Sequence, residues 1–304
     1  MDIINKTSIG NGFDSVFQEV VHENCLNLKN NNCLRLFCLD ISNNSFSYLG
    51  LHRILQQNIG RYVFSRASID QFINDGDAEA IGLKAVELLR TASSPADKGA
   101  GGELGEILLY LFLEQKLNAP KVLSKVELKT TGNQYIFGSD GVHLLQLNEK
   151  AFQLILGEAK IKGKLKDAVD NAFESIMKVS QKPDNEIRLI EKSILAESFS
   201  EDTRELIESI IIPTKRNQEI ATDNAFGIFL GYTVDIDPAK YSNDEFRHAL
   251  LNQLKKDICQ ITGYITNKIN ALELSGYSFY FYILPFNDAS KDRAEIIKKL
   301  KGEQ

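Results

Sequence analysis

The chain has 304 residues, and 43% of them are hydrophobic, which is enough to build the core of one large domain or two small ones. It carries 35 basic and 41 acidic residues, which gives a formal net charge of -6. This balance excludes a protein that holds nucleic acid through a broad excess of basic surface. Any binding of a polyanion must therefore use a local basic patch or depend on a partner.

The cysteines and the hydropathy pattern exclude two further classes of protein. The four cysteines form no CxxC pair and have no neighbouring histidine ligand, so we expect reduced thiols rather than a zinc site. No stretch approaches the roughly 20 apolar residues that span a bilayer, and no N-terminal segment has the pattern of a signal peptide. We therefore expect a cytoplasmic protein without membrane association.

Residues 1–92 are predicted to form an α/β region in front of the main domain. Their composition favours strands at 34–41 and 60–65, and their apolar periodicity favours helices at 46–56 and 78–90. Residues 91–102 (TASSPADKGAGG) are rich in Ser, Pro and Gly and predict a loop. We place the start of the main domain, residues 93–304, within this loop.

The pattern from Gly102 onwards predicts a helix, three strands and a second helix. The first helix covers 102–117 (GELGEILLYLFLEQKL), and strands follow at 122–129 and 134–147 with a turn at Gly132 and Asn133 between them. A nearly continuous apolar strand at 152–161 (FQLILGEAKI) then precedes a helix at 165–179. This order predicts an α/β core.

The rest of the chain adds strands to the predicted sheet. Polar helices are expected at 185–209, as part of a helical insertion around 185–215. Two apolar runs at 225–234 and 277–286 are typical of central strands, and a long amphipathic helix at 243–274 separates them. We expect a mixed central sheet of about five strands, flanked by helices.

The end of the strand at 152–161 carries the residues that point to chemistry. Glu158 and Lys160 lie at i and i+2, so they project from the same face of the strand, while Ala159 faces the other way. Asp140, flanked by glycines in GSDG, precedes a strand that can form a hairpin with this one. The hairpin would bring Asp140 close to Glu158.

Two converging carboxylates repel each other unless a cation lies between them, and hard oxygen ligands suit Mg²⁺ or Mn²⁺. With Lys160 they form a phosphodiesterase centre of the PD-(D/E)xK type, in which the metal polarises the phosphate and the lysine positions water or stabilises negative charge. The plain alternative is that Asp140 caps a turn and Glu158 pairs with Lys160 on a solvated strand end. An ExK triplet alone would not decide between them; its combination with GSDG favours the metal centre.

Further charged residues flank this centre. Glu103 and Glu106 lie on one face of an apolar helix, where either could reach the metal or simply meet the helix dipole in the first turn. A basic stretch follows the centre and is either simply solvated or binds the phosphate backbone of a nucleic acid; its residues are Lys162, Lys164 and Lys166. His143 should point away from Asp140 and pack. The KGAGGE stretch lacks the GK[ST] ending of a phosphate-binding P-loop, so we expect no nucleotide site there.

Three motifs together resemble the HamA family, the nuclease subunits of the Hachiman antiphage system. They are GELGE on a helix, GSDGVH at a strand and GEAK at the end of the next strand. The motifs span residues 100–179. The resemblance implies a restriction-endonuclease-like core with an N-terminal α/β elaboration. It also implies that Asp140, Glu158 and Lys160 are catalytic, with a glutamate of GELGE assisting.

The same resemblance implies a partner, a superfamily 2 helicase similar to HamB, through which DNA would be reached. It accounts for the acidic charge, because a nuclease restrained by its helicase needs little DNA affinity of its own. An alternative function is a catalytically silent interaction subunit that keeps the fold and docks the helicase. The presence of all three motif residues argues against that alternative.

Overall fold

The structure is a computed structural model that describes residues 12–92, 102–122, 138–180 and 220–303, together with residues 124, 126, 205 and 207–210. Within these residues the chain has the predicted α/β architecture, a mixed sheet covered by helices on both faces. The strands are β1 (Gln18–Glu19), β2 (Asn32–Cys38), β3 (Ile41–Ser42), β4 (Ser45–Phe46), β5 (Gly141–Asn148), β6 (Ala151–Lys162), β7 (Ala221–Thr233) and β8 (Ser278–Phe286).

Six of these strands form the main sheet, in the order β1-β2-β8-β7-β6-β5. The four central strands β2, β8, β7 and β6 run parallel, whereas β1 and β5 are antiparallel to their neighbours at the two edges. Strands β3 and β4 pair separately as a short hairpin. The sheet is therefore mixed, as predicted, with six strands where about five were expected.

The described helices of four or more residues are α1 (Phe13–Val16), α2 (Leu49–Val63), α3 (Arg66–Asn74), α4 (Ile81–Ala92), α5 (Gly102–Gln115), α6 (Leu165–Ser180), α7 (Asn243–Ala271) and α8 (Ala289–Leu300). Helix α5 packs on β6 and β7, with α8 and α2 beside it. Helix α6 also packs on β6 and β7, and α7 lies against α6. The core lies between these two helical layers and the sheet.

The central strands form where the sequence is most continuously apolar, because strands covered on both faces need apolar residues on both. All nine residues of β8 are buried. The predicted strands at 152–161, 225–234 and 277–286 are confirmed, as are the helices that correspond to α4, α5, α6 and α7. The long helix α7 begins with a capping box between Ser242 and Glu245, which satisfies two backbone donors at its start.

One predicted strand is wrong. Residues 60–65 were expected to be extended, but α2 continues to Val63. Ile59, Tyr62 and Val63 are buried at helical spacing, so packing against the core outweighs the strand preference of Tyr and Val. The helix expected from residue 46 begins at Leu49, because Phe46 belongs to β4.

The N-terminal region contributes to the main sheet. Strand β2 lies between β1 and β8, and β1 forms one edge. Two of the six strands, β1 and β2, therefore come from residues 1–92, and they share a sheet with four strands of residues 93–304.

Several sequence-based predictions concern residues outside the described ranges. These are most of the strand at 122–129, the turn at Gly132 and Asn133, most of the loop at 91–102 and most of the polar helices at 185–209. Over the ranges that are described, no helix is both long enough and apolar enough to cross a membrane.

Candidate active site

The C-terminal part of β6 places Glu158 and Lys160 on one face of the sheet. Ala159, between them, faces α5: a Cβ atom built on Gly105 would lie 3.1 Å from the Ala159 Cβ. Glu158 and Lys160 therefore point to the opposite face, where α6 packs. Their side chains form an ion pair, with Glu158 buried and Lys160 partly exposed. The two side chains therefore lie on the same face of the strand, as the i and i+2 spacing predicts.

Asp140 lies close to Glu158, at the end of the β5–β6 pair. Gly141, the first residue of β5, pairs with Gly157 in the antiparallel register, so Asp140 immediately precedes this pair and Glu158 immediately follows it. The Asp140 amide donates to the Gly157 carbonyl at 2.8 Å, and the Asp140 Oδ2 atom accepts from the Ala159 amide at 2.9 Å. The hairpin thus brings the two carboxylates together, as the sequence predicted.

Burial and the neighbouring Asp140 carboxylate raise the pKa of Glu158 to about 7, and burial is the larger cause. Lys160 and the Ser175 hydroxyl of α6 lower the pKa in part. Without a cation, a negative charge on Glu158 is therefore disfavoured at neutral pH. A divalent ion would remove this penalty, and oxygen ligands of this kind suit Mg²⁺ or Mn²⁺.

Glu106 approaches Asp140 from the α5 side of the sheet. Its Oε2 atom accepts a hydrogen bond of 3.1 Å from the Tyr62 hydroxyl. Glu106, Asp140 and Tyr62 line one small pocket, together with Leu109, Tyr110, Lys121, Gly141 and His143. Burial, followed by Glu106, raises the pKa of Tyr62, so its hydroxyl stays protonated and can donate. The helical glutamate of the prediction therefore lies beside Asp140.

Glu103 has a different environment. Its Oε2 atom is 2.7 Å from the Nζ atom of Lys301, which is buried just after α8. Glu103 does not line the pocket that holds Glu106 and Asp140. Of the two glutamates between which the sequence could not choose, the structure places Glu106 at the site and pairs Glu103 with the C-terminal region.

Lys301→Met should destabilise the fold by about 1–2 kcal/mol, because it leaves the mostly buried carboxylate of Glu103 without this cation. Urea unfolding measures the change, and Lys298→Met, on the exposed side of α8, is the matched control. The double variant Lys301→Met with Glu103→Gln should recover most of the loss. An equal effect of the two lysine variants would contradict a stabilising role for this pair.

The three lysines predicted to bind nucleic acid follow the site in order. Lys162 ends β6 and is partly exposed, while Lys164 and Lys166 are exposed at the start of α6. His143 is buried, and its Nδ1 atom lies 2.8 Å from the Ala119 carbonyl oxygen. Burial lowers the pKa of His143 to about 3, so it is neutral and packs, as expected.

Two residues near the site had no signal in the sequence. Tyr62, the donor to Glu106, lies in the segment that was predicted to be a strand. Lys121 is buried, and its Nζ atom donates to the carbonyls of Arg61, Tyr62 and Phe64 at 2.5, 3.2 and 2.7 Å. Lys121 thus fixes the end of α2 and, with it, the position of Tyr62. Their partners are about 40–60 residues away in sequence, so no local pattern could have revealed them.

The motif glycines allow α5 to approach β6 closely. A Cβ atom on Gly157 would lie 2.8 Å from the Leu109 side chain and 3.1 Å from the Gly141 carbonyl oxygen. A Cβ atom on Gly105 would nearly touch Ala159. The small residues in GELGE and GEAK therefore set the distance between the helix of Glu106 and the strand of Glu158.

The donor set fits a magnesium or manganese ion held by two carboxylates, since Mg²⁺ commonly keeps several waters and binds substrate phosphate oxygens as well. Asp140 and Glu158 would be the protein ligands. In the described part of the chain, no three His, Cys, Asp or Glu side chains converge on one point. A full set of four carboxylates, with Glu103 and Glu106 included, is therefore not assembled there.

A family model described as HamA matches residues 14–300 of the chain. No curated protein and no solved structure matches. Because the match covers nearly the whole chain, the protein belongs to the HamA family, which acts in Hachiman antiphage defence.

Proposed function

We propose that the chain is a metal-dependent nuclease of the PD-(D/E)xK type, which hydrolyses phosphodiester bonds, most directly those of DNA. The observation that carries this proposal is the pairing of β5 with β6, which brings Asp140 close to Glu158, the residue that pairs with Lys160. Two carboxylates and a lysine at the end of one strand pair are the groups that this chemistry needs.

Each residue has a distinct role in the proposed reaction. Asp140 and Glu158 would hold Mg²⁺ or Mn²⁺, which supplies Lewis acidity and an activated water when bound. The Lys160 ammonium would orient the attacking water or stabilise the charge that develops on the phosphate. Glu106, held by Tyr62, would assist from the α5 side through its position beside Asp140.

The choice of metal gives a direct test of this mechanism. Mg²⁺ and Mn²⁺ should support cleavage of plasmid DNA, whereas Ca²⁺ should support binding without cleavage, because it accepts the same ligands with looser geometry. The measurement is the cleavage rate in each ion and in EDTA. Equal rates in EDTA and Mg²⁺ would rule out a mechanism based on two metal-binding carboxylates.

We further propose that the chain works in a complex with an ATP-driven superfamily 2 helicase similar to HamB. With a net charge of -6, the chain alone should bind DNA weakly near physiological salt, since its 41 acidic residues outnumber its 35 basic ones and repel phosphates. A nonspecific nuclease would also damage the genome of its own cell unless it is restrained. The family assignment and the net charge both support a partner that brings the chain to DNA and restrains its nuclease activity.

The purified chain should therefore cut DNA poorly, and the complex should cut it when ATP is present. Co-purification with the helicase, followed by nuclease assays with and without ATP, measures this dependence. Robust cleavage of intact plasmid by the chain alone at physiological salt would contradict it.

The alternative is a silent subunit in which Glu158 and Lys160 form only a structural ion pair. In that case neither the chain nor its complex would cut DNA in Mg²⁺ or Mn²⁺. The same assays therefore decide between the two functions.

A further inference from the structure

Tyr62 lies near the end of α2, in the N-terminal region, yet its side chain reaches the candidate active site. Its hydroxyl donates a hydrogen bond of 3.1 Å to the Glu106 Oε2 atom of α5, and its side chain lines the same small cavity as Asp140. Burial, then Glu106 and then Asp140 raise the pKa of Tyr62, so its hydroxyl keeps its proton near neutral pH. A buried donor from outside the strands of the site therefore contacts one of its carboxylates.

The position of Tyr62 is fixed from two sides. The ring of Tyr110, on α5, packs against the Tyr62 ring with 5.7 Å between the ring centroids. The backbone at the end of α2 is held by the buried Lys121 ammonium, which donates to the carbonyls of Arg61, Tyr62 and Phe64. The last carbonyls of a helix have no partner within the helix, so an ammonium that satisfies three of them holds this end in place. Tyr62 therefore has little freedom to move away from α5.

A carboxylate beside a bound metal is effective only when it is held in one orientation. Glu106 and Asp140 line a cavity of about 20 Å³, which has room for about one water molecule. Hydrogen bonds to the residues around a metal orient them, and removal of such a partner commonly weakens metal binding or activity about 10- to 100-fold. The Tyr62 hydroxyl is placed to supply such a bond to Glu106.

We propose that Tyr62 is a positioning residue that holds the Glu106 carboxylate beside Asp140 and thereby sets the affinity of the site for its divalent metal. The proposal rests on the metal-dependent nuclease function proposed above. It also gives the N-terminal region a second role, because α2 becomes part of the active site in addition to the strands that this region adds to the main sheet. Tyr62 acts through Glu106 and not on the substrate.

The test is isothermal titration calorimetry of Mn²⁺ binding to the full chain, which requires no cleavage. Tyr62→Phe removes only the hydroxyl and should weaken Mn²⁺ binding about tenfold. Tyr232→Phe is the matched control, because Tyr232 is also buried and also donates to a carboxylate, at 2.8 Å, but that carboxylate belongs to Asp257 of α7. Both variants should lower the midpoint of urea unfolding, and only Tyr62→Phe should weaken Mn²⁺ binding.

A double-variant cycle shows whether Tyr62 acts through Glu106. Glu106→Ala should weaken Mn²⁺ binding, and Tyr62→Phe added to it should have no further effect, because the hydroxyl then has no carboxylate to hold. Cleavage by the complex gives a second readout. Tyr62→Phe should need about tenfold more Mn²⁺ to reach half of its maximal rate, while the maximal rate at saturating Mn²⁺ changes little. A general structural defect would lower the maximal rate instead.

Unchanged Mn²⁺ affinity in Tyr62→Phe would overturn the proposal. Equal losses of affinity in Tyr62→Phe and Tyr232→Phe would overturn it as well, and so would a full effect of Tyr62→Phe in the Glu106→Ala background. Each of these results leaves the nuclease function standing, because the unmodified chain still binds Mn²⁺. Absence of Mn²⁺ binding by the unmodified chain, together with no cleavage by the complex, would instead remove the metal-dependent function and this inference with it.

Discussion

Lys160→Ala should reduce DNA cleavage by the activated complex about 10²- to 10³-fold, the usual cost of removing a group that stabilises charge in a transition state. Glu158→Gln should cost at least as much, because it removes one of the two carboxylates proposed to hold the metal. Initial rates of plasmid cleavage in Mg²⁺ measure both effects. Lys178→Ala, at an exposed position near the end of α6, is the matched control.

Both variants should remain folded, since neither side chain fills the apolar core. Cleavage by either variant at the rate of the unmodified chain would contradict the assignment of the site. A variant that loses both activity and its cooperative unfolding transition is unfolded, and its inactivity then reflects folding rather than catalysis.

Glu158→Gln also has a pH-dependent effect on stability when no metal is present. The folded state raises the pKa of Glu158 from its ordinary value of 4.5 to about 7, mainly through burial. The resulting contribution to stability is therefore fully present below pH 4.5 and is lost as pH rises through about 7. Glutamine never ionises, so the variant should gain stability relative to the unmodified chain over this interval, on the order of 2 kcal/mol.

Thermal unfolding in EDTA at several pH values measures this difference. Added Mg²⁺ should then stabilise the unmodified chain more than Glu158→Gln, because a ligand that binds only the folded state raises its stability. A difference that does not vary between pH 5 and pH 8 would contradict the buried, ionisable environment assigned to Glu158.

Gly157→Val should destabilise the fold by about 3 kcal/mol, the largest stability effect that we expect from a single substitution near the site. The space next to Gly157 is taken by Leu109 and by the backbone of Gly141, so a branched side chain would push α5 or β5 away from β6. Gly157→Ala should cost less, about 1–2 kcal/mol, because only the Cβ atom must be accommodated. Urea unfolding measures both changes.

Gly263→Ala provides the control with the opposite sign. Gly263 lies inside α7, and a Cβ atom there would meet nothing within 4 Å, so alanine should stabilise the helix by about 0.5–1 kcal/mol. If alanine changes the stability by a similar amount and in the same direction at both glycines, close packing is not the cause of the change at Gly157.

The parts of the fold that could be predicted are those whose signal is local. Strands β6, β7 and β8 are covered on both faces and therefore appear as continuous apolar runs, while the period of α5 to α7 appears within each helix. Asp140, Glu158 and Lys160 were found in the same way, because hairpin pairing and strand alternation follow from sequence spacing. Their proximity needed no knowledge of distant contacts.

The rest depends on contacts between distant residues. Glu103 pairs with Lys301, about 200 residues later in the sequence. Glu106 accepts a hydrogen bond from Tyr62, 44 residues earlier. Residues 60–65 have strand-forming side chains, yet burial on a helical face makes most of them part of α2. Local propensity could not resolve these cases, because tertiary packing determines each outcome.

The position of β8 also governs when the protein can take shape during its synthesis. Residue 32 of β2 pairs with residue 279 of β8, and β8 separates β2 from β7. Translation adds about 5–20 residues per second, so β2 leaves the ribosome many seconds before its partner exists. Until then β7 has an open edge, and β6, with Glu158 and Lys160, belongs to an incomplete sheet. Such long-range pairing makes folding slow. The nascent chain therefore cannot complete this sheet until β8 has been synthesised.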